Sequence, residues 1–185
     1  NEHVELVTFT GGVAIGKYIA SKAGYRRMVL ELGGNDPLIV MEDADIDEAS
    51  TLAVAGSYKN SGQRCTAVKR MLVHQAVADR FVEQVVAKTR AWTYGDPSDR
   101  KLDMGTVIDE PAAMFFEARV NEAIAQGARL LVGNQRRGAL YSPTVVDQVR
   151  PEMLLVKEET FGPVSPIIRF KDIDEAIRIS NGTAY

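Results

Sequence analysis

Val4-Glu5-Leu6-Val7-Thr8-Phe9-Thr10-Gly11-Gly12-Val13-Ala14-Ile15-Gly16 reads as a β-rich run that meets two glycines and continues as a helix to about Ala23. Strand, glycine turn and helix in that order open a strand–helix–strand unit. Val29 to Leu32 and Leu38 to Met41 are short apolar runs, read as buried strands. Asp45, with Glu48 three residues on, forms a capping box for a helix to about Tyr58. Lys69 to His74 reads as a strand, and Val77 to Arg90 has helical apolar spacing. After the loop Gly95 to Ser98, a helix runs from Pro111, tolerated in a first turn, to Gln126, with Gly127 as its stop. Then come a strand from Ala128 to Val132, a basic loop from Asn134 to Gly138, strands at Tyr141 to Val146 and Val164 to Phe170, and a helix from Ile173 to Ser180. Strand and helix alternate, which predicts an α/β fold with an open, largely parallel sheet flanked by helices.

The chain has 185 residues, 45% of them hydrophobic and 25% charged, which fits a globular domain or a large part of a bigger protein. The net charge is 22 − 25 = −3 with no long basic run, so nucleic acid is not an expected partner. No apolar stretch approaches the ~18 residues of a membrane-spanning helix, and no membrane partner is expected. Cys65 is the single cysteine, so no disulfide forms within the chain. With no signal-like start, this points to a reducing, cytoplasmic setting. His3 and His74 lie far apart without metal-ligand spacing, and no metal is expected.

Two runs carry chemistry. Glu31-Leu32-Gly33-Gly34-Asn35-Asp36-Pro37 puts a carboxylate before a glycine pair that lets backbone approach a ligand closely. Asn60-Ser61-Gly62-Gln63-Arg64-Cys65-Thr66 puts a thiol on a glycine-containing turn beside a cation, which favours nucleophilic chemistry at sulfur. A base and a nucleophile on sharply turning backbone are what covalent catalysis at a carbonyl requires. Each has a plainer reading. Most lone cysteines are small buried apolar residues, and Glu31 alone reads as a strand-end carboxylate. Gly11-Gly12 ahead of a helix presents free N–H groups and a positive dipole end to a phosphate, though a lone glycine pair is also an ordinary turn.

Together these runs resemble the aldehyde dehydrogenase superfamily, whose signatures read Glu-Leu-Gly-Gly and Gly-Gln-x-Cys. Phe9 to Gly16 and Glu158-Glu159-Thr160-Phe161-Gly162-Pro163 are similar to two further motifs, and the four stand in the family's order. Glu31 and Cys65 lie 34 positions apart (65 − 31), which fits. The resemblance implies that the Cys65 thiolate attacks an aldehyde, that hydride passes to NAD or NADP, and that Glu31 activates the water hydrolysing the resulting thioester. It implies cofactor contacts at Thr10, Gly11, Gly12, Gly16, Leu32 and Gly33. It further implies that Glu159 binds the nicotinamide ribose and that Phe161 packs near the nicotinamide. The sequence departs from the commonest pattern at Gly12, where that pattern has serine. One hydroxyl donor to the phosphate is thereby lost.

Arg64, directly before the nucleophile, presents a planar fork suited to phosphate, phosphonate or carboxylate, or else makes an internal salt bridge. With Thr66 it is the candidate substrate contact. The run from Ser61 to Arg70 is similar to two branches of the superfamily, one oxidising phosphonoacetaldehyde, which is favoured, and one oxidising glyceraldehyde 3-phosphate without phosphorylation. An acyl transfer to coenzyme A and a non-catalytic nucleotide-binding or assembly module stay open as alternatives. Glu31 discriminates against the first, and Cys65 with Glu31 against the second. The resemblance divides the chain into the end of a nucleotide-binding domain (1–30) and a catalytic domain (31–185) truncated at its C-terminal end. It implies a longer parent that is a homodimer or homotetramer, and a nearly inactive isolated chain, because the family's upstream asparagine and lysine are absent.

Overall fold

The computed structural model describes residues 3–185, which divide after Gly34 into a unit of the first 34 residues with Tyr185 and a unit spanning Asn35–Ala184.

In the first unit, β1 (Leu6–Thr10) leads through Gly11-Gly12 into α1 (Val13–Ala23), and β2 (Arg27–Glu31) returns parallel to β1. Thr10 pairs with Glu31 at the end of the ladder, and Gly11 N donates to Glu31 O at 3.0 Å. Gly24 ends α1 at φ 64°, a left-handed conformation that glycine adopts without a Cβ penalty. Arg26 Nη1 then caps Ala23 O at 2.7 Å. The strand expected at Val29 to Leu32 forms, but not as a buried one, since Val29 is 49% exposed. Two strands and one helix cannot cover both faces of a parallel pair.

The second unit holds a five-stranded sheet. Its elements are β3 (Pro37–Val40), α2 (Ile46–Tyr58), a 3-10 turn (Lys59–Gly62), β4 (Arg70–His74), α3 (Ala78–Ala91), α4 (Glu110–Ala125), β5 (Arg129–Val132), β6 (Arg136–Arg137), β7 (Leu140–Tyr141), β8 (Thr144–Asp147), α5 (Leu154–Lys157), β9 (Val164–Phe170) and α6 (Ile173–Ser180). The sheet order is β3-β4-β9-β8-β5, parallel throughout except for β5 at the edge. The α/β fold with a mostly parallel sheet is thus as the alternation of elements predicts.

Period-two alternation sends successive side chains of one strand to opposite faces. Met71, Val73 and Ile167 join Ala53, Val54, Phe81 and Val85 of α2 and α3 in one core. Leu72 and Ile168 join Phe116, Val120 and Ala176 of α4 and α6 in the other. Asp45 caps α2, with Oδ1 accepting from Asp47 N and Glu48 N. The buried Arg70 side chain donates to Asn35 O, ahead of β3, and to Ile179 O and Ser180 O at 2.8–3.0 Å. It thereby caps the C-terminus of α6.

Two further expectations differ from the structure. The basic loop at 134–138 contains half of a small hairpin, with Arg136 opposite Tyr141 and Arg137 opposite Leu140, turning at Gly138 (φ 59°). The single strand expected from Tyr141 to Val146 is two, because Pro143 has no N–H for a ladder. Tyr141 serves the hairpin and Thr144 begins β8. Among the described residues no helix is long and apolar enough to cross a membrane, and no three His, Cys, Asp or Glu side chains gather where they could hold a metal ion.

Candidate active site

The cysteine turn starts from a rigid anchor. Tyr58, the last residue of α2, is fully buried. Its hydroxyl donates to Thr144 O at 3.2 Å and accepts from Ser165 Oγ at 3.0 Å. Burial pushes its pKa up to about 12, against the opposing pull of the hydrogen bonds to Ser165 and Thr89. After Lys59, Asn60 (φ 56°), Ser61 (φ 56°) and Gly62 (φ 69°) are all left-handed. Such a conformation costs roughly 1–2 kcal/mol for a residue with a Cβ. The surroundings hold it. Ser61 Oγ bonds Thr106 O at 3.0 Å, and Asn60 Nδ2 donates to Gln63 O at 3.0 Å. Gly62 lies against Gly162 so closely that a Cβ there would overlap the Gly162 carbonyl. The chain then turns through Ala67 N to Arg64 O, leaving Cys65 and Thr66 exposed at its apex.

Lys69 ties this turn to the loop after α5. Its side chain is 2% exposed, and Nζ donates to Cys65 O at 2.6 Å. The same ammonium lies 3.2 Å from Glu159 Oε1, 3.9 Å from Asp36 Oδ2 and 5.8 Å from the centre of the exposed Phe161 ring. The structure therefore brings Cys65, Glu159 and Phe161 around one buried cation. Sequence alone does not single out Lys69, because a lysine at the start of a strand looks like any solvated residue. Its four-residue spacing from Cys65 was the available signal.

Arg64 turns inward. Nη2 donates to Gly56 O at 2.9 Å, close to the end of α2 where a cation suits the helix dipole, and Nε is buried without a partner. The internal contact is thus to a backbone carbonyl and not to a carboxylate.

In the first unit, Thr10 and Gly11 stand at the end of β1 beside Glu31, whose side chain is exposed. Gly12 is the N-cap of α1 and offers its first turn no side-chain oxygen. Nothing lies within 4 Å of a Cβ built on it. Gly16 is buried against Leu32, which a side chain at 16 would displace. The first turn of α1 thus has no side-chain cap and Gly12 stands in open space, the form of helix start that accepts a pyrophosphate. The residues fit a dinucleotide at this point.

The sequence model of the Aldehyde dehydrogenase family matches residues 1–185. The chain is 45% identical over 185 residues to an NADP-dependent glyceraldehyde-3-phosphate dehydrogenase of Streptococcus equinus, covering 100% of this chain and 39% of that protein. It is 42% identical over 182 residues to a sulfoacetaldehyde dehydrogenase of Neptuniibacter caesariensis, covering 98% and 40%. Its fold superposes with a TM-score of 0.96 and 41% identity on the crystal structure of a glyceraldehyde-3-phosphate dehydrogenase from Methanocaldococcus jannaschii complexed with NADP, covering 100% and 40%. The chain thus spans about two-fifths of the length of the relatives it matches.

Proposed function

The chain belongs to the aldehyde dehydrogenase family, and we propose that it carries the nucleophile and base of an enzyme that oxidises a small anionic aldehyde to its acid with NAD or NADP. The observation that carries this reading is Cys65, exposed at the apex of a strained turn and joined through Lys69 to Glu159 and Phe161.

The Cys65 thiolate adds to the aldehyde carbon, forming a C–S bond and a thiohemiacetal oxyanion. NAD(P), when bound, supplies the acceptor for the hydride that leaves this carbon. The C–O double bond re-forms, and Cys65 holds the acyl group as a thioester. Glu31 takes a proton from water, which attacks the thioester and releases the acid and the thiol. Gly11, Gly12 and the start of α1 would hold the pyrophosphate, with Thr10, Gly16, Leu32 and Gly33 shaping that segment. Glu159 would hold the nicotinamide ribose and Phe161 would lie near the nicotinamide. Glu31 favours the free acid as product over a coenzyme A ester.

Arg64 and Thr66 are the proposed substrate contacts. Two relatives bear the names of anionic aldehydes, sulfoacetaldehyde and glyceraldehyde 3-phosphate, which supports the class. Within it phosphonoacetaldehyde is our first choice, on the run from Ser61 to Arg70. The same reading includes a cytoplasmic homodimer or homotetramer and the domain boundary near residue 30. The test is an assay of the full-length protein against phosphonoacetaldehyde, sulfoacetaldehyde, glyceraldehyde 3-phosphate and lactaldehyde. Highest kcat/KM on a phosphorus or sulfur oxyanion supports the proposal. Equal or higher kcat/KM on lactaldehyde overturns the substrate class.

A further inference from the structure

We infer that Lys69 is a positioning residue that sets the Glu159 carboxylate for the cofactor and locks it to the peptide that follows the nucleophile. The inference rests on the reading of Glu159 as a ribose contact. An ammonium with 2% of its side chain exposed is costly to desolvate, and an apolar residue would fill the same space without that cost. Lys69 meets the cost with one charge-assisted contact to each of the loops that carry the chemistry and a longer ion pair to Asp36 Oδ2 at 3.9 Å. The 2.6 Å bond to Cys65 O fixes the orientation of the Cys65–Thr66 peptide. The 3.2 Å ion pair to Glu159 removes rotamer freedom from a carboxylate that must accept hydrogen bonds from ribose hydroxyls. Phe161, two residues on, keeps its ring 5.8 Å from the same ammonium. A charge held this way preorganises the site before cofactor arrives, so less ordering remains for binding to impose.

The experiment is a double-mutant cycle on NADP and NAD affinity in the full-length protein, with Lys69→Met, Glu159→Gln and the double variant. Thermal melting runs in parallel, and Lys69→Gln serves if Lys69→Met does not fold. Each single variant is expected to weaken cofactor binding by about ten- to a hundred-fold, the range of a charged hydrogen bond. The double variant is expected to lie within about two-fold of Glu159→Gln alone, because Lys69 acts through that carboxylate. Multiplying losses, or an unchanged Kd in the Lys69 variants, overturns the role of Lys69 and leaves the ribose reading standing. An unchanged Kd in Glu159→Gln removes the ribose reading itself, and the inference with it.

Discussion

Gly62 and Gly162 touch backbone to backbone: a Cβ built on Gly62 falls 2.5 Å from the Gly162 carbonyl carbon. The contact seats the turn that presents Cys65 on the loop that presents Phe161. Gly162 is also closed on another side, where a Cβ would meet Phe116 Cε2 at 2.5 Å.

Gly62→Ala combines this overlap with a left-handed φ of 69°. It should destabilise the protein by about 2–4 kcal/mol, the range of overpacking plus backbone strain, and abolish activity even where the protein still folds. Gly12→Ser is the contrast, with an extended backbone (φ −67°) and open space around it. Serine at that N-cap should change stability by only a few tenths of a kcal/mol. Urea titration of both variants measures the difference.

Tyr58 ties stability to alkaline pH. Burial raises its folded pKa to about 12, above that of the unfolded chain, so the folded state holds the proton more tightly. Its contribution is complete below pH 10 and is lost as pH rises towards 12. Two units correspond to about 3 kcal/mol. Tyr58→Phe should flatten the fall of stability over that window, while lowering stability at neutral pH by about 1–2 kcal/mol through the lost hydroxyl bonds. Denaturant midpoints at pH 8, 10 and 11 give the slope. An unchanged slope would mean that Tyr58 does not carry it.

Much of the fold is legible in the sequence, for reasons that can be named. Asp45 announces α2, Gly127 (φ 100°) stops α4, and the apolar spacing of Phe81 and Val85 gives α3 its buried face. The β6–β7 hairpin escapes because two residues per strand show no period, and α5 because the short run Leu154-Leu155-Val156-Lys157 fits a strand as well as a helical turn. At the candidate site, Cys65 and Glu31 stand out through their glycine neighbours. The left-handed Asn60 and Ser61 do not: Asn60 is held locally by its side-chain bond to Gln63 O, but Ser61 is held by Thr106 O, far along the chain. Lys69 is hidden for the same reason, as its meaning lies 90 residues on (159 − 69).

Arg64 is tethered to Gly56 O, so its substitution has two separable effects. Arg64→Ala frees that carbonyl and should cost about 1 kcal/mol of stability. If the guanidinium also meets a substrate oxyanion, kcat/KM should fall roughly ten- to a few-hundred-fold on a phosphonylated or phosphorylated aldehyde, the equivalent of ~1.5–3 kcal/mol. An uncharged aldehyde should lose no more than a few-fold. Equal losses on both would make Arg64 a support of the turn alone.

The most direct test of covalent chemistry at Cys65 is the mass of the enzyme caught between its two half-reactions. In full-length Glu31→Gln protein, mixing with aldehyde and NADP or NAD should release about one reduced cofactor per site and then stall. Acid quenching and peptide mass spectrometry should find the acyl group of that aldehyde on the peptide containing Cys65, and Cys65→Ala should show neither burst nor adduct. Steady turnover without an adduct, or an acyl group on any other residue, would contradict the account.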